Sequence, residues 1–326
     1  MRLRTSSPRG GVRCHPGSGL SCYFLTLLAL AAGTLRSFCD PDPGSGWREV
    51  WSEEFDGDEL DATKWSKYVG NDGSELHHVA GGSRSQFREA WGVAGNAYLA
   101  NGSLVLRSDR QRIAAPDGRV FNFSSGAVTT RGHAAWTHGR ICVRARLPGT
   151  GGGGGKDDGI WPAHWLMPQD SSCWPDHGEI DVMEMMNGDG RAGGTYHWNR
   201  LWPAQQCAPA SWNTSNGHPG DTALGGSINL TAAGWATVWH EYAVEWDGRD
   251  RLAFAVDGQV ILNITRANQT RSPRFPPAHP QFSAAPFYIN LNTAVGGPAV
   301  RPVSSATVFP VFHYIDYVRV AQQLQR

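Results

Sequence analysis

Helical periodicity of useful length is missing from this 326-residue chain, and its longest apolar stretch, from about Leu20 to Gly33, is too short to span a bilayer as a helix. Strong charge of either sign is missing too, with 29 basic and 29 acidic residues overall. Several catalytic signatures also fail. "GTGGGGGK" looks like a phosphate-binding loop, but Thr150 stands at its first glycine position and Asp157 where Ser or Thr is required. "HEYAV" begins like a zinc-protease helix, but Val244 replaces the second histidine. No G-x-S-x-G elbow occurs, and the remaining histidines lack a second ligand at metal spacing.

Cysteine is scarce, six in all, and the first 38 residues hold five arginines and no acid ahead of and around the Leu20–Gly33 stretch. That order of basic region and short apolar core predicts a signal peptide over 1–38, cleaved between Ala31 and Asp40. The protein is then secreted and has no stable membrane insertion. The alternative is a type II membrane anchor. Cleavage leaves 24 basic against 29 acidic residues, which disfavours nucleic acid and sulfated polysaccharides as partners. Six N-x-S/T sequons, at Asn101, Asn122, Asn213, Asn229, Asn263 and Asn268, agree with passage through a secretory pathway. Of the cysteines left after cleavage, Cys173 and Cys207 flank the segment discussed next and are the expected disulfide, with Cys142 a buried thiol.

What the chain does contain is many short runs of β-formers broken by Gly, Pro, Asn and Asp, among them "RICVRARL", "EIDVMEM", "EYAVEW", "FYINLNTAV" and "IDYVRV". "VDGQV" reads as a tight hairpin with Asp257-Gly258 at its turn. This pattern predicts an all-β sandwich of jelly-roll type, one domain over 39–326. The glycine-rich 148–159 segment is expected as a flexible rim loop. Fourteen tryptophans supply flat faces of the kind that stack on sugar rings.

The most informative segment is "HGEIDVMEMMNG", 177–188, with Glu179, Asp181 and Glu184 inside six positions. Strict alternation puts Glu179 and Asp181 on one face and Glu184 on the other. A β-bulge at Val182 or Met183 restores a common face, and bulges re-aim side chains beside active sites. Two inward-leaning glutamates four strand steps apart then leave their carboxyls near the roughly 5 Å of a retaining glycosidase. The competing reading is an acidic strand edge that discourages aggregation.

From Trp51 to Val320 the chain resembles glycoside hydrolase family 16, close to its laminarinase branch and the related β-glucan-recognition proteins. The resemblance runs in order through "WSEEFDGDELDATKW", "GSLVLRS", "SGAVTTRG", "HGRICVRARLP", "GIWPAHWLMP", "HGEIDVMEMMNG", "YAVEWDGRDRLAFAVDG", "NLNTAVGG" and "IDYVRV". It implies a jelly-roll with a substrate cleft on its concave face and retention of anomeric configuration. It further implies Glu179 as nucleophile, Glu184 as acid/base and Asp181 as the residue that orients the nucleophile. The bulged spacing is the laminarinase-like form, so the implied partner is a β-1,3-glucan polysaccharide, bound by a monomer that needs no catalytic cofactor. The alternatives are a non-catalytic β-1,3-glucan-binding protein and a transglycosylase. Trp161, Trp165, Trp174 and His197 are the expected substrate-binding residues. A structural calcium on the convex face would be held by Glu54 and Asp316, as in members of the resembled family.

Overall fold

Alternating burial along the strands builds two large sheets that face each other. In the computed structural model, residues 38–40, 45–70, 90–151, 153–169, 174–175, 177–199, 221–230, 235–265, 285–297 and 299–323 are described. Their regular structure is strand, with short 3-10 turns and no α-helix among them. One sheet runs in the order β17 (Gln259–Thr265), β16 (Arg251–Val256), β15 (His240–Trp246), β10 (Gly139–Arg146), β19 (Val311–Gln323), β5 (Leu104–Asp109), β8 (Phe123–Ser125) and β3 (Ala90–Gly92). Two further strands join it: β1 (Trp47–Glu53) pairs with β19 and β4 (Ala97–Leu99) with β5. The other sheet is β14 (Asp221–Asn229), β13 (Arg191–Asn199), β12 (Glu179–Glu184), β11 (Ile160–Pro168), β18 (Phe287–Val295), β9 (Ala127–Thr129) and β2 (Ser66–Lys67). A small ribbon pairs β6 (Ile113–Ala114) with β7 (Val120–Phe121). The fold is the expected β-jelly-roll.

Period-2 alternation assigns the faces. On β10, Ile141, Val143 and Ala145 are fully buried against the second sheet, while Arg140, Arg144 and Arg146 point outward. Leu166, Ile180, Val182, Met183, Ile289 and Leu291 answer them from the seven-stranded sheet, forming one apolar layer. Strands β11 and β18 are buried along all nine residues each, so the centre of this sheet is covered on both faces. Two histidines occupy the interior. The Nε2 atoms of His164 and His313 lie 3.0 Å apart and their rings stack at 5.0 Å. Burial lowers the pKa of both, that of His313 to about 3, so each is neutral and one ring donates to the other.

Local signals survive where backbone geometry is the cause. Asp257 and Gly258 take φ of +48° and +76° between β16 and β17, the two left-handed positions of the predicted hairpin. Two expectations need correction. Cys142 is not a thiol: it is bonded to Cys39 across 103 residues, with Cα atoms 6.0 Å apart. Cys142 points to the outer face of β10, where residues 38–40 lie over it, and closing so long a loop restricts the unfolded chain by about 4–5 kcal/mol in the chain-entropy model. Cys173 and Cys207 lie outside the described residues. The 148–159 loop is pinned rather than free: Thr150 donates its N–H and hydroxyl to the Asp157 carboxylate, and Val308 N–H bonds Lys156 O.

Candidate active site

The three carboxylates sit on β12, an interior strand of the seven-stranded sheet between β13 and β11. Against β11 the register runs Ala163 to Glu184, His164 to Met183 and then Trp165 to Asp181, so Val182 has no partner. The same slip appears against β13 between Asp181 and Glu184. Val182 and Met183 both enter the apolar layer, and the strand resumes with Glu184 turned to the face of Glu179 and Asp181. The bulge reconciles a three-residue spacing with a two-residue pleat.

Each carboxylate has its own partner. Trp161 Nε1 donates to Glu184 Oε1 at 2.9 Å, and Trp174 Nε1 donates to Glu179 Oε2. His197 Nε2 lies 3.5 Å from Asp181 Oδ2, and its ring is 5.5 Å from that of Trp174. Glu179 and Asp181 are buried, and Glu184 is partly covered. Burial first, and the Glu179 charge second, raise the Glu184 pKa to about 7. His197 and the Trp161 N–H oppose that rise without cancelling it. Glu184 therefore keeps its proton well above the usual carboxylate range, beside a second carboxyl, an arrangement suited to acid/base work on a C–O bond.

Beside Glu184 lies a concavity of about 280 Å³, lined among others by Asp189, Arg191, Gly193 and Thr195. Gly193 pairs directly with Glu184, and a Cβ there would come within 2.6 Å of Gly226 O. The missing side chain lets β14 pack closely against β13 beside the carboxyl. Gly193, Asp189 and Arg191 were not foreseen; the Gly-Gly pair inside a strand was the available signal, since it marks close approach.

The other expected positions divide. Trp161, Trp174 and His197 join the carboxylates. Trp165 does not line open space: it is 1% exposed and its Nε1 donates to Asn292 Oδ1 at 2.7 Å, which makes it a floor beneath the site. Glu54 and Asp316 do not fit the expected calcium. Arg319 grips Glu54 through two N–H groups at 2.8 and 2.9 Å, and Arg144 pairs with Asp316. Each carboxylate is already matched by a guanidinium, and no cluster of three or more metal-ligating side chains occurs among the described residues. Asn101, Asn122, Asn229 and Asn263 are exposed; Asn213 and Asn268 lie outside the described residues.

A jelly-roll sandwich whose interior strand presents an acid pair of this kind is the architecture of a glycoside hydrolase. The chain belongs to the glycosyl hydrolases family 16, whose model matches residues 84–289. It is 31% identical over 287 residues to a β-glucanase of Rhodothermus marinus, covering 86% of each chain. It is 30% identical over 302 residues to glucan endo-1,3-β-glucosidase A1 of Niallia circulans, covering 86% of this chain and 39% of that protein. The laminarinase catalytic domain of Thermotoga maritima superposes with a TM-score of 0.64 at 27% identity, covering 86% of this chain and 99% of that one.

Proposed function

We propose that this protein is a secreted, endo-acting hydrolase of β-1,3-glucan that works with retention of configuration. The observation that carries the mechanism is Glu184 on the same strand face as Glu179, with its pKa raised by burial and by the Glu179 charge to about 7. Similarity to laminarinases supports the substrate.

Trp161 can only donate, so Glu184 Oε1 accepts its N–H and the proton sits on Oε2. Glu184 gives that proton to the departing glycosidic oxygen while the Glu179 carboxylate attacks the anomeric carbon, forming a glycosyl ester. The Trp174 N–H holds Oε2 of Glu179 and fixes the direction of its carboxylate. Asp181, with His197 beside it, lies on the strand face next to Glu179 and orients it. Once Glu179 is esterified its negative charge is gone, and with it one of the two causes that raise the Glu184 pKa. Glu184, having given up its proton, then stays ionised and available for its second task, taking a proton from the water that cleaves the ester.

Product analysis on laminarin, with lichenan and agarose in parallel, tests the substrate: short β-1,3-linked oligosaccharides are expected. Folded protein that binds laminarin without releasing reducing ends would belong with the recognition proteins instead. Azide rescue tests the roles. On an activated β-glucoside, Glu179→Ala should yield the α-glycosyl azide and Glu184→Ala the β-glycosyl azide. Exchanged products would reverse the two assignments.

A further inference from the structure

Beside the outer face of the ten-stranded sheet lies a second concavity, of about 270 Å³, which shares no lining residue with the one beside Glu184. Its walls include Arg146 from β10, Phe312 and Tyr314 from β19, Thr150 and Asp157 from the pinned 148–159 loop, and Thr237. Phe312 and Tyr314 point outward on alternate positions, and their rings lie 6.0 Å apart with planes 31° from parallel, forming a continuous aromatic wall.

Arg146 is the unusual member. Around it, Arg107, Arg140, Arg144, Arg251 and Arg319 each meet a carboxylate. The Arg146 guanidinium meets neither a carboxylate nor a hydrogen-bond acceptor among the described residues. Instead it lies 4.2 Å from the Tyr314 ring centroid and 5.6 Å from that of Trp239. Stacking occupies the faces of a guanidinium and leaves its in-plane N–H donors unused. A half-buried guanidinium whose in-plane donors meet no acceptor among the described residues can offer them to an acceptor-rich ligand.

We propose that this concavity is a second carbohydrate-binding site, which takes one ring of a neutral β-glucan segment. Vicinal sugar oxygens would accept from Arg146, and the ring's apolar face would lie against Phe312 and Tyr314. Neutrality follows from the walls, which hold one acid, Asp157, for one base, Arg146. A single ring follows from the volume, below the roughly 300–1,000 Å³ of sites for drug-sized ligands. The choice of β-glucan rests on the proposed function. A polymer held here as well as at the carboxylates has two weak holds, which together give retention that neither gives alone.

The test uses full-length secreted protein carrying Glu184→Gln, so that the polymer stays intact, and measures retention on insoluble linear β-1,3-glucan. Arg146→Ala and Tyr314→Ala should each weaken retention at least fivefold. In the catalytically intact background the same changes should leave kcat/KM on a short β-1,3-glucan oligosaccharide within twofold. Arg146→Lys, which keeps the stem and charge but loses the planar fork, should bind weakly while melting like the parent; it decides the matter should the alanine variants unfold. Unchanged retention in folded variants would overturn the site. Arg146-dependent binding of a polyuronate with no binding of β-glucan would overturn its neutral occupant. Arg146-dependent retention in a wild-type protein that releases nothing from laminarin would leave the site standing and sink the hydrolase.

Discussion

The two outer faces of the sandwich treat their acidic residues in opposite ways. On the ten-stranded sheet, Glu245 sits between Arg140 and Arg251, Asp316 meets Arg144, and Glu54 meets Arg319. On the seven-stranded sheet the acids meet indole N–H groups and an imidazole: Trp174 at Glu179, Trp161 at Glu184 and His197 at Asp181. An indole orients a carboxylate without adding a positive charge, so burial first and the neighbouring Glu179 charge second raise the pKa of Glu184. Charge balance is the mark of a structural surface, and charge left in excess marks chemistry.

The sharpest way to break this contrast is to remove an acid from each face. Glu179→Ala or Glu184→Ala should cost at least about a thousandfold in laminarin hydrolysis, since nucleophilic attack and proton donation each act on a poor leaving group. Glu245→Ala should leave the rate within twofold. A comparable loss from Glu245→Ala would show that the two faces are not functionally distinct.

A smaller effect concerns stability. The Glu184 pKa in the fold, about 7, exceeds its ordinary value of 4.5, so between those values the folded state binds more protons than the unfolded one. The penalty is absent below about pH 4, grows as pH rises through that window and is complete above about pH 7, reaching on the order of 3 kcal/mol. Glu184→Gln should therefore raise the stability measured by urea unfolding at pH 8 by up to that amount, and leave it nearly unchanged at pH 4. Equal effects at both pH values would remove the charge explanation.

Below this comes the balanced face itself. Asp316→Asn should destabilise by about 0.2–1 kcal/mol, with the loss shrinking in high salt, because its partner Arg144 is itself more than a third exposed. The smallest expected effect is that of EDTA. With Glu54 and Asp316 already neutralised by arginines, chelation should leave the melting temperature within about 1 °C, whereas a drop reversed by calcium would restore the metal to that face.

Much of this was legible in the letters. Strand-forming runs, the Asp257-Gly258 turn and the bulge at Val182–Met183 all follow from local rules, because pleat periodicity and backbone sterics act over a few residues. Trp165 shows where that reach ends. Its place four residues from Trp161 gives both the same strand face, yet only the covering residues decide that Trp165 is sealed beneath the site while Trp161 reaches Glu184.

By itself, then, the sequence determined the all-β architecture, the common face of Glu179, Asp181 and Glu184, and the family. Each is written in spacing, and spacing fixes side-chain direction along a strand. Tertiary structure alone decided the partners. Cys39 meets Cys142 across 103 residues, Arg319 reaches Glu54 across 265, and Arg144 reaches Asp316 across 172. No local rule links positions so far apart, because their meeting depends on which strands become neighbours in the sheet. That order is set by packing the whole core at once, and it turned two expected calcium ligands into ion pairs and an expected thiol into half of a disulfide.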